Sequence, residues 1–325
     1  MSNTLFLSIT RLAVAAAAAI SVSAAYPQTW PAKPVRIIVP FGPGGGTDIQ
    51  GRLLGKKFFE TMGQTFIVDN RTGAAGLIGA ELIAKSPPDG YNILFTTASL
   101  SVNVSLYKKI AFDPIKDLAP VSWVSSVPLV LVVHASVPAK SAKELIALAK
   151  QRKGKMNAAS NGSGTTSHLS IEMLKQMAGV DVAHIPYKGG GPAMIAMVGG
   201  EVDFQFATAI AAQPHIKSGK VRALAVTTAK KSAIFPDLPT MASIYPGFES
   251  DNWYAMFLPA GTPKEIVAKL NAEIVKALKS PDVRDFITKE GGEPVGSTPE
   301  ELGAYFRREV DKYAKVIKAG NIQPE

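Results

Sequence analysis

A glycine-rich turn between a short apolar strand and a helix constrains this chain more than any other feature. Val35–Val39 is apolar and largely β-branched, and Pro40 follows it, which predicts a buried strand. Four glycines between positions 42 and 46 let the backbone bend sharply and let a ligand approach the main-chain amides. Thr47 and Asp48 are N-cap candidates for the amphipathic run behind them. Because a helix N-terminus favours an anion, the turn predicts a site for a carboxylate or phosphate.

The turn does not match the known nucleotide-binding motifs, and it is also compatible with a simple tight connection. A dinucleotide turn requires a third glycine where this chain has Thr47, although Asp69 lies where a ribose-binding acid would lie. A P-loop requires Lys and Ser or Thr after its last glycine, and here Arg52 and a leucine follow Gly51. The sequence therefore predicts neither motif.

Similar small-residue turns recur at the ends of later predicted strands. They follow the strands predicted at 65–69, 91–97, 156–160 and 182–185, and the turns themselves are 73–76, 96–99, 161–167 and 186–192. Alternation of strands and helices indicates an α/β fold with mainly parallel sheets, whose ligands bind at the carboxyl ends of the strands. A second α/β unit is predicted from about 127 to 250, with a ligand in the cleft between the two units.

Three pairs of residues have the spacing of capping boxes. The pairs are Ser141 with Glu144, Thr262 with Glu265, and Thr298 with Glu301. The last two pairs have proline at the first helical position and predict the C-terminal helices.

The N-terminus predicts export. Arg11 precedes an apolar run that is too short to span a bilayer, and Ser23–Ala25 offers a small-residue cleavage site. We interpret residues 1–25 as a cleavable signal peptide, the alternative being a buried N-terminal helix, and expect the periplasm of a Gram-negative bacterium. The chain has no cysteine, which excludes disulfides, thiol chemistry and a lipoprotein anchor.

The remaining composition argues against metal, nucleic-acid and catalytic sites. The four histidines lie far apart without metal-ligand spacing, and Gly162-Ser163-Gly164 is not a nucleophile elbow. We therefore expect no metal and no cofactor. A net charge of +9 without basic runs is consistent with an anionic ligand but not with nucleic acid. Asp48 alone would be interpreted as a first-turn or N-cap carboxylate, and His168 as a packed helix residue.

A set of motifs along the chain carries a family resemblance. They read PFGPGGGTD, NRTGAAGLIGA, PDGY, LAPVS, SNGSGTTSHL, HIPYKGGGPA, GGEVD, GKVRALAVT, PAGTPK and PVGSTPEE. Together they resemble the Bug family of bacterial periplasmic solute-binding proteins, which are the binding components of tripartite tricarboxylate transporters. The resemblance covers essentially the whole chain after residue 25.

The resemblance implies a two-lobed periplasmic-binding-protein fold, similar to type II, that closes on a small organic acid. Lobe 1 would comprise residues 26–126 and 251–325, and lobe 2 residues 127–250. It implies a monomeric binding protein, not an enzyme, with a mono-, di- or tricarboxylate or aromatic acid as ligand and a tripartite tricarboxylate-type transporter in the membrane as partner. A binding protein for a sensor, or an exported hydrolase using the same cleft, are the alternatives.

The resemblance also implies which residues bind the ligand, by position in its motifs. In lobe 1 they are Phe41, Gly42, Gly45, Gly46, Thr47, Asp48, Thr97 and Ala98. In lobe 2 they are Ser160, Gly162, Gly164, Thr165, Tyr187, Gly189 and Asp203. Leu77 stands where the family commonly has a polar residue, which would make one edge of the pocket less polar if its side chain points inward.

Overall fold

A computed structural model describes residues 30–107, 109–228, 231–232, 234–248, 250–289, 291–320 and 322–323. The predicted signal peptide lies outside the described residues. All elements below belong to one compact unit, Lys33–Glu325. Within the described part of the chain, no helix is both long enough and apolar enough to cross a membrane.

The first sheet has six strands in the order β11-β4-β10-β3-β1-β2. Its strands are β1 (Val35–Val39), β2 (Phe66–Asn70), β3 (Asn92–Thr97), β4 (Leu118–Val127), β10 (Asn252–Pro259) and β11 (Glu293–Pro294). The helices associated with it are α1 (Gly46–Met62), α2 (Leu77–Ala84), α3 (Ser99–Leu106), α9 (Lys264–Lys279), α10 (Pro281–Lys289) and α11 (Pro299–Gly320). A 3-10 turn, Ala74–Gly76, precedes α2.

The second sheet has five strands in the order β7-β6-β8-β5-β9. Its strands are β5 (Leu129–His134), β6 (Asn157–Ser160), β7 (Ala183–Pro186), β8 (Phe204–Thr208) and β9 (Val221–Val226). Its helices are α4 (Ala142–Arg152), α5 (Thr166–Ala178), α6 (Gly190–Gly199), α7 (Ala209–Lys217) and α8 (Met241–Ile244).

Both sheets are mixed, whereas mainly parallel sheets were expected. β1 pairs in parallel with β2 and β3, and β6 with β7 and β8. β10 is antiparallel to both β3 and β4, and β5 is antiparallel to both β8 and β9. The chain leaves the first sheet at the end of β4, next to Pro128, and returns to it at β10. These two neighbouring strands therefore run in opposite directions. The predicted α/β class is correct, and the exact lobe boundaries stay a prediction.

Each sheet has its own apolar core. The core of the second lobe joins β5, β6 and β8 to α4 and α5 through residues such as Leu131, Phe204 and Leu174. In the first lobe, Trp253 and Phe257 of β10 pack edge-on against Phe306 of α11. Leu77 belongs to this core, so its side chain does not make the pocket less polar. The C-terminal helix α11 therefore packs on the first lobe.

The capping predictions have mixed outcomes. At Thr298 the full box forms, with Glu301 N–H donating to the hydroxyl and Thr298 N–H donating to the carboxylate. Ser141 also caps its helix through Glu144 N–H. The prediction at Thr262 is wrong, because its hydroxyl donates to the Pro259 carbonyl at 2.7 Å and the helix begins one residue later than predicted.

Candidate ligand pocket

A pocket between the two sheets is lined by backbone turns from both lobes. The space between its walls, counting the part that is open to solvent, is about 330 Å³. The lining residues are Phe41, Gly45, Gly46, Thr47, Thr97, Ser99, Asn161, Thr165, Thr166, Gly190, Thr208, Asn252 and Tyr254. Among the described residues this lining holds hydroxyls, amides and one phenylalanine, but no charged side chain.

Five helices begin at this pocket. Gly46 opens α1 and Ser99 opens α3, both in the first lobe. Thr166 opens α5, Gly190 opens α6, and Thr208 immediately precedes α7 in the second lobe. Each helix follows a strand whose carboxyl end lies at the same edge of its sheet. Their N-terminal amides and dipoles therefore create a positive potential without a cationic side chain.

Three of these N-termini receive no side-chain cap from the described residues. They belong to α1, α6 and α7, whose N-cap residues are Gly45, Gly189 and Thr208. In α7 the first amide, Ala209 N–H, already donates to the Pro128 carbonyl at 3.2 Å. The first amides of a helix have no partner within the helix itself, and they need water, a side chain or a ligand instead. Because Gly45 and Gly189 have no side chain, a ligand can approach the amides of α1 and α6 closely. Anion binding is the chemistry that this arrangement suits.

Asp48 fixes the first glycine turn from behind. Its carboxylate accepts hydrogen bonds from Gly44 N–H at 3.0 Å, Asn70 Nδ2 at 3.0 Å and Arg52 Nε at 3.1 Å. Burial would raise the pKa of Asp48, but the hydrogen bonds from Arg52, Gly44 and Asn70 hold it below its ordinary value. The carboxylate is thus occupied within its own lobe, in the first-turn role that the sequence alone indicates, and the pocket lining does not include it.

The third turn is held by a network of hydroxyls and imidazoles. Thr165 Oγ1 accepts from His168 N–H at 3.3 Å and donates to the Gly162 carbonyl at 2.7 Å. Gly164 N–H donates to His168 Nδ1 at 3.1 Å. Gly162 N–H donates to Ser160 Oγ at 3.1 Å. These contacts fix the turn, so Ser160 and Gly164 support the pocket wall from behind.

A stacked pair of histidines lies behind this turn. The rings of His168 and His184 are parallel within 16° at a centroid distance of 4.2 Å. His184 Nε2 lies 2.5 Å from Ser160 Oγ, and burial together with the charge of Lys175 lowers the pKa of His184 to about 4. Ser160 is fully buried and does not line the pocket. This serine–histidine contact is therefore structural and gives no support to a hydrolase.

Two buried hydroxyls are directed at the pocket from strands. Tyr254 Oη and Thr208 Oγ1 meet no partner in hydrogen-bonding geometry among the described residues. Burial raises the pKa of Tyr254, and the nearby side chains of Asn252 and Thr208 only partly oppose this shift. A buried polar group without a partner is costly, so both hydroxyls fit a site that a ligand or water completes.

The two lobes are in direct main-chain contact beside the pocket. Gly42 N–H donates to the Lys188 carbonyl at 2.7 Å. Gly189 and Gly191 lie so close to the first glycine turn that a Cβ at either position would collide with its backbone. We call this contact the glycine clasp, formed by Gly42–Gly44 and Lys188–Gly191. It holds main-chain atoms of the two lobes against each other.

The structure brings six of the predicted site residues into the pocket lining. They are Phe41, Gly45, Gly46, Thr47, Thr97 and Thr165. Gly162 and Tyr187 line an adjacent cavity, while Gly42 and Gly189 belong to the glycine clasp. Ala98 is fully buried at the start of α3 and is not part of the lining.

Asp203 lies at the wrong end of its strand to flank the pocket. It precedes β8, while the pocket residue Thr208 ends that strand. Its carboxylate accepts from Asn157 N–H at 2.7 Å, at the beginning of the parallel strand β6. Thr208 lies five positions after Asp203 along extended chain, a distance of about 17 Å.

Sequence reasoning missed seven lining residues. They are Ser99, Asn161, Thr166, Gly190, Thr208, Asn252 and Tyr254. Four of them lie within the predicted turns, namely Ser99, Asn161, Thr166 and Gly190, and Thr208 lies at the end of β8. Asn252 and Tyr254 lie on the antiparallel strand β10, where Tyr254 pairs with Thr97. No local motif marks them, because only this tertiary pairing brings them to the pocket.

Comparison with known proteins is consistent with this geometry. Residues 51–322 match the family model described as the tripartite tricarboxylate transporter family receptor. Protein BugT of Bordetella pertussis is 39% identical over 294 residues, which cover 90% of each chain.

Two solved structures superpose closely on this chain. One, described as the periplasmic binding protein BugD, has 36% identity and a TM-score of 0.88, covering 91% of this chain and 100% of that one. The other, R. palustris Rpa4515 with adipate, has the same identity, TM-score and coverage. The predicted two-lobed fold is confirmed by these matches, and so is the resemblance on which it rested.

Proposed function

Because this chain belongs to the tripartite tricarboxylate transporter receptor family, we propose that it captures a small organic carboxylate in the pocket between its lobes. It is a solute-binding protein rather than an enzyme, as its relatives are. The captured acid is delivered to the membrane components of a tripartite tricarboxylate-type transporter.

The convergence of five helix N-termini on an uncharged pocket is the observation that carries this proposal. A helix N-terminus contributes about 0.3–1 kcal/mol toward an anion, and up to about 2 kcal/mol in partly buried geometry. Uncapped amides and the hydroxyls of Thr208 and Tyr254 supply hydrogen bonds to carboxylate oxygens. Hydrogen bonds to an ionised acceptor are about twice as strong as neutral ones. A neutral ligand would gain little from this field, and adipate in the relative Rpa4515 is a carboxylate.

Ligand binding and closure are coupled because both lobes line the pocket. Gly46 and Thr97 come from the first lobe, and Thr165 and Thr208 from the second. A carboxylate touching both walls is bound more tightly by the closed form, and only that difference in affinity drives closure. Closure also excludes water, which strengthens each hydrogen bond to the acid. The membrane partner then recognises the closed form.

Residues 1–25 direct export to the periplasm and are removed. Intact-mass measurement of the protein from a periplasmic extract is expected to give a chain that begins near residue 26. An uncleaved chain retained in the cytoplasm would contradict this part of the proposal.

Native mass spectrometry of the freshly purified mature protein tests the ligand class. The expected result is a bound species that, after release, is identified as an organic acid. A bound molecule without any acidic group would overturn the proposal. If the protein is purified empty, titration with carboxylates replaces the release step, and failure of every acid to bind would count against the proposal equally.

A further inference from the structure

A second cavity lies against the ligand pocket. Its space, counting the part that is open to solvent, is about 670 Å³, and it shares two lining residues, Phe41 and Asn161, with the pocket. We call it the side chamber. Its lining residues are Pro40, Phe41, Gly73, Ala74, Ala75, Gly76, Tyr107, Asn161, Gly162, Ser163, Pro186, Tyr187 and Lys188.

Phe41 and Asn161 form the boundary between the two spaces. The side chain of Phe41 lies between Gly189 of the second lobe and Gly76 of the first. A Cβ added at Gly189 would lie 3.2 Å from Phe41 Cβ, and one added at Gly76 would lie 3.2 Å from Phe41 Cζ. Asn161 Oδ1 accepts a hydrogen bond from Gln205 Nε2 at 3.1 Å, which fixes the orientation of its amide. A ligand passing between these two side chains would touch both spaces.

The side chamber differs from the pocket in whether its main-chain N–H groups already have hydrogen-bond partners. Gly76 N–H donates to the Gly73 carbonyl at 3.0 Å, and Leu77 N–H donates to Ala74. Gly162 N–H is bound to Ser160 Oγ, and Tyr187 N–H to the Ser160 carbonyl. These amides are already paired within the protein, whereas the N-termini of α1 and α6 at the pocket have no side-chain cap. A carboxylate in the side chamber would therefore find few donors.

The side chains of the side chamber are mainly rings and methyl groups. Tyr107 comes from the first lobe and Tyr187 from the second. Burial raises the pKa of both phenols, so both stay neutral across the physiological range. Among the described lining residues the one charged side chain is that of Lys188, which is exposed. This lining favours apolar and aromatic groups.

We propose that the ligand spans both spaces: its carboxylate is held in the pocket, and an uncharged alkyl or aryl tail extends past Phe41 into the side chamber, between Tyr107 and Tyr187. This inference rests on the proposed function and narrows the ligand to a monocarboxylic acid with an apolar tail. Tyr107 and Tyr187 are then the residues that select for the tail.

Isothermal titration with the straight-chain acids propanoate to hexanoate tests the tail directly. Burial of one methylene should tighten binding about fourfold, the factor equivalent to 0.8 kcal/mol. Adipate is the matched control, because it has the six carbons of hexanoate with a second carboxylate at the far end. We expect hexanoate to bind at least tenfold more tightly than adipate.

Variants of Tyr187 distinguish the contribution of the apolar tail to binding affinity from that of the carboxylate. Tyr187→Ala should reduce the ratio of hexanoate affinity to propanoate affinity at least fivefold. Tyr187→Phe keeps the ring and is the matched control, expected to behave as wild type. Tyr107→Ala gives a second, independent test on the opposite wall.

The possible failures are distinguishable. If acids bind but tail length does not change their affinity, or adipate binds more tightly than hexanoate, the side-chamber inference is overturned and the proposed function stands. If no acid of either kind binds, the proposed function itself fails.

Discussion

Replacing Gly191 with alanine should keep the lobes from closing without disturbing either lobe. A Cβ at Gly191 would fall well inside 3.0 Å of the Pro43 carbonyl oxygen, and 3.1 Å from the Gly44 carbonyl carbon. Real Cβ atoms essentially never come within 3.0 Å of such atoms, so the two backbones must move apart by roughly 1 Å. Gly42 N and Lys188 O would then exceed hydrogen-bonding distance, since they now lie 2.7 Å apart.

The cost of this substitution falls on the closed form alone. Loss of one hydrogen bond costs about 1 kcal/mol, and overpacking costs about 1–3 kcal/mol. A total of at least about 2 kcal/mol raises the Kd of the ligand about thirtyfold or more. In the open form the Cβ meets no opposing backbone, and alanine is a better helix former than glycine. The melting temperature of the ligand-free protein should therefore be unchanged or slightly higher.

Titration calorimetry and small-angle scattering together measure this effect. Gly199→Ala in the same helix is the matched control, because a Cβ there would lie 3.9 Å from Glu201 Oε1, which is an ordinary van der Waals contact. We expect Gly191→Ala to stay open at ligand concentrations that close both wild type and Gly199→Ala. Unchanged affinity together with normal closure in Gly191→Ala would refute the glycine clasp.

Two further substitutions test the pocket and the network behind it. Tyr254→Phe removes a buried hydroxyl that lies beside the side chains of Asn252 and Thr208 but has no partner in hydrogen-bonding geometry among the described residues. Ligand affinity should therefore fall about tenfold or more while thermal stability is retained; equal affinity by calorimetry would show that the hydroxyl does not contact the ligand. The pKa of His184 is lowered from 6.5 to about 4 in the folded protein, so the unfolded chain takes up the proton first as the pH falls. The stability it contributes is present above pH 6.5 and is lost toward pH 4, by at most about 3 kcal/mol. Urea unfolding at pH 7 and pH 5 should show a smaller loss for His184→Phe than for wild type, and equal losses would contradict the assignment.

Local patterns predict the strand-to-helix turns well because each turn is determined by its own residues. The glycines after Val39 and the hydroxyls after Ser160 lead into helices, as predicted, and both turns line the pocket. The N-cap of α1 is Gly45, however, and Thr47 and Asp48 lie in the first turn. Residue preference alone could not distinguish a cap from a first-turn carboxylate.

Contacts that depend on chain topology could not be predicted from local patterns. The family resemblance implied Asp203 as a site residue, whereas Asp203 precedes the first residue of β8 and the pocket lies at the other end of that strand. Tyr254 reaches the pocket only because β10 runs antiparallel to β3. The mixed sheets have the same origin, since the strands that connect the lobes must run in opposite directions.

A thermal-shift panel of paired compounds tests the central claim, that a carboxylate is bound at the converging helix N-termini, most directly. The panel contains mono-, di- and tricarboxylates and aromatic acids, each beside its own primary amide, which keeps the size but removes the charge. We expect at least one acid to raise the melting temperature of the mature protein by several degrees while its amide does not. If no acid stabilises the protein, or if the amides stabilise it as much as the acids do, the claim is wrong.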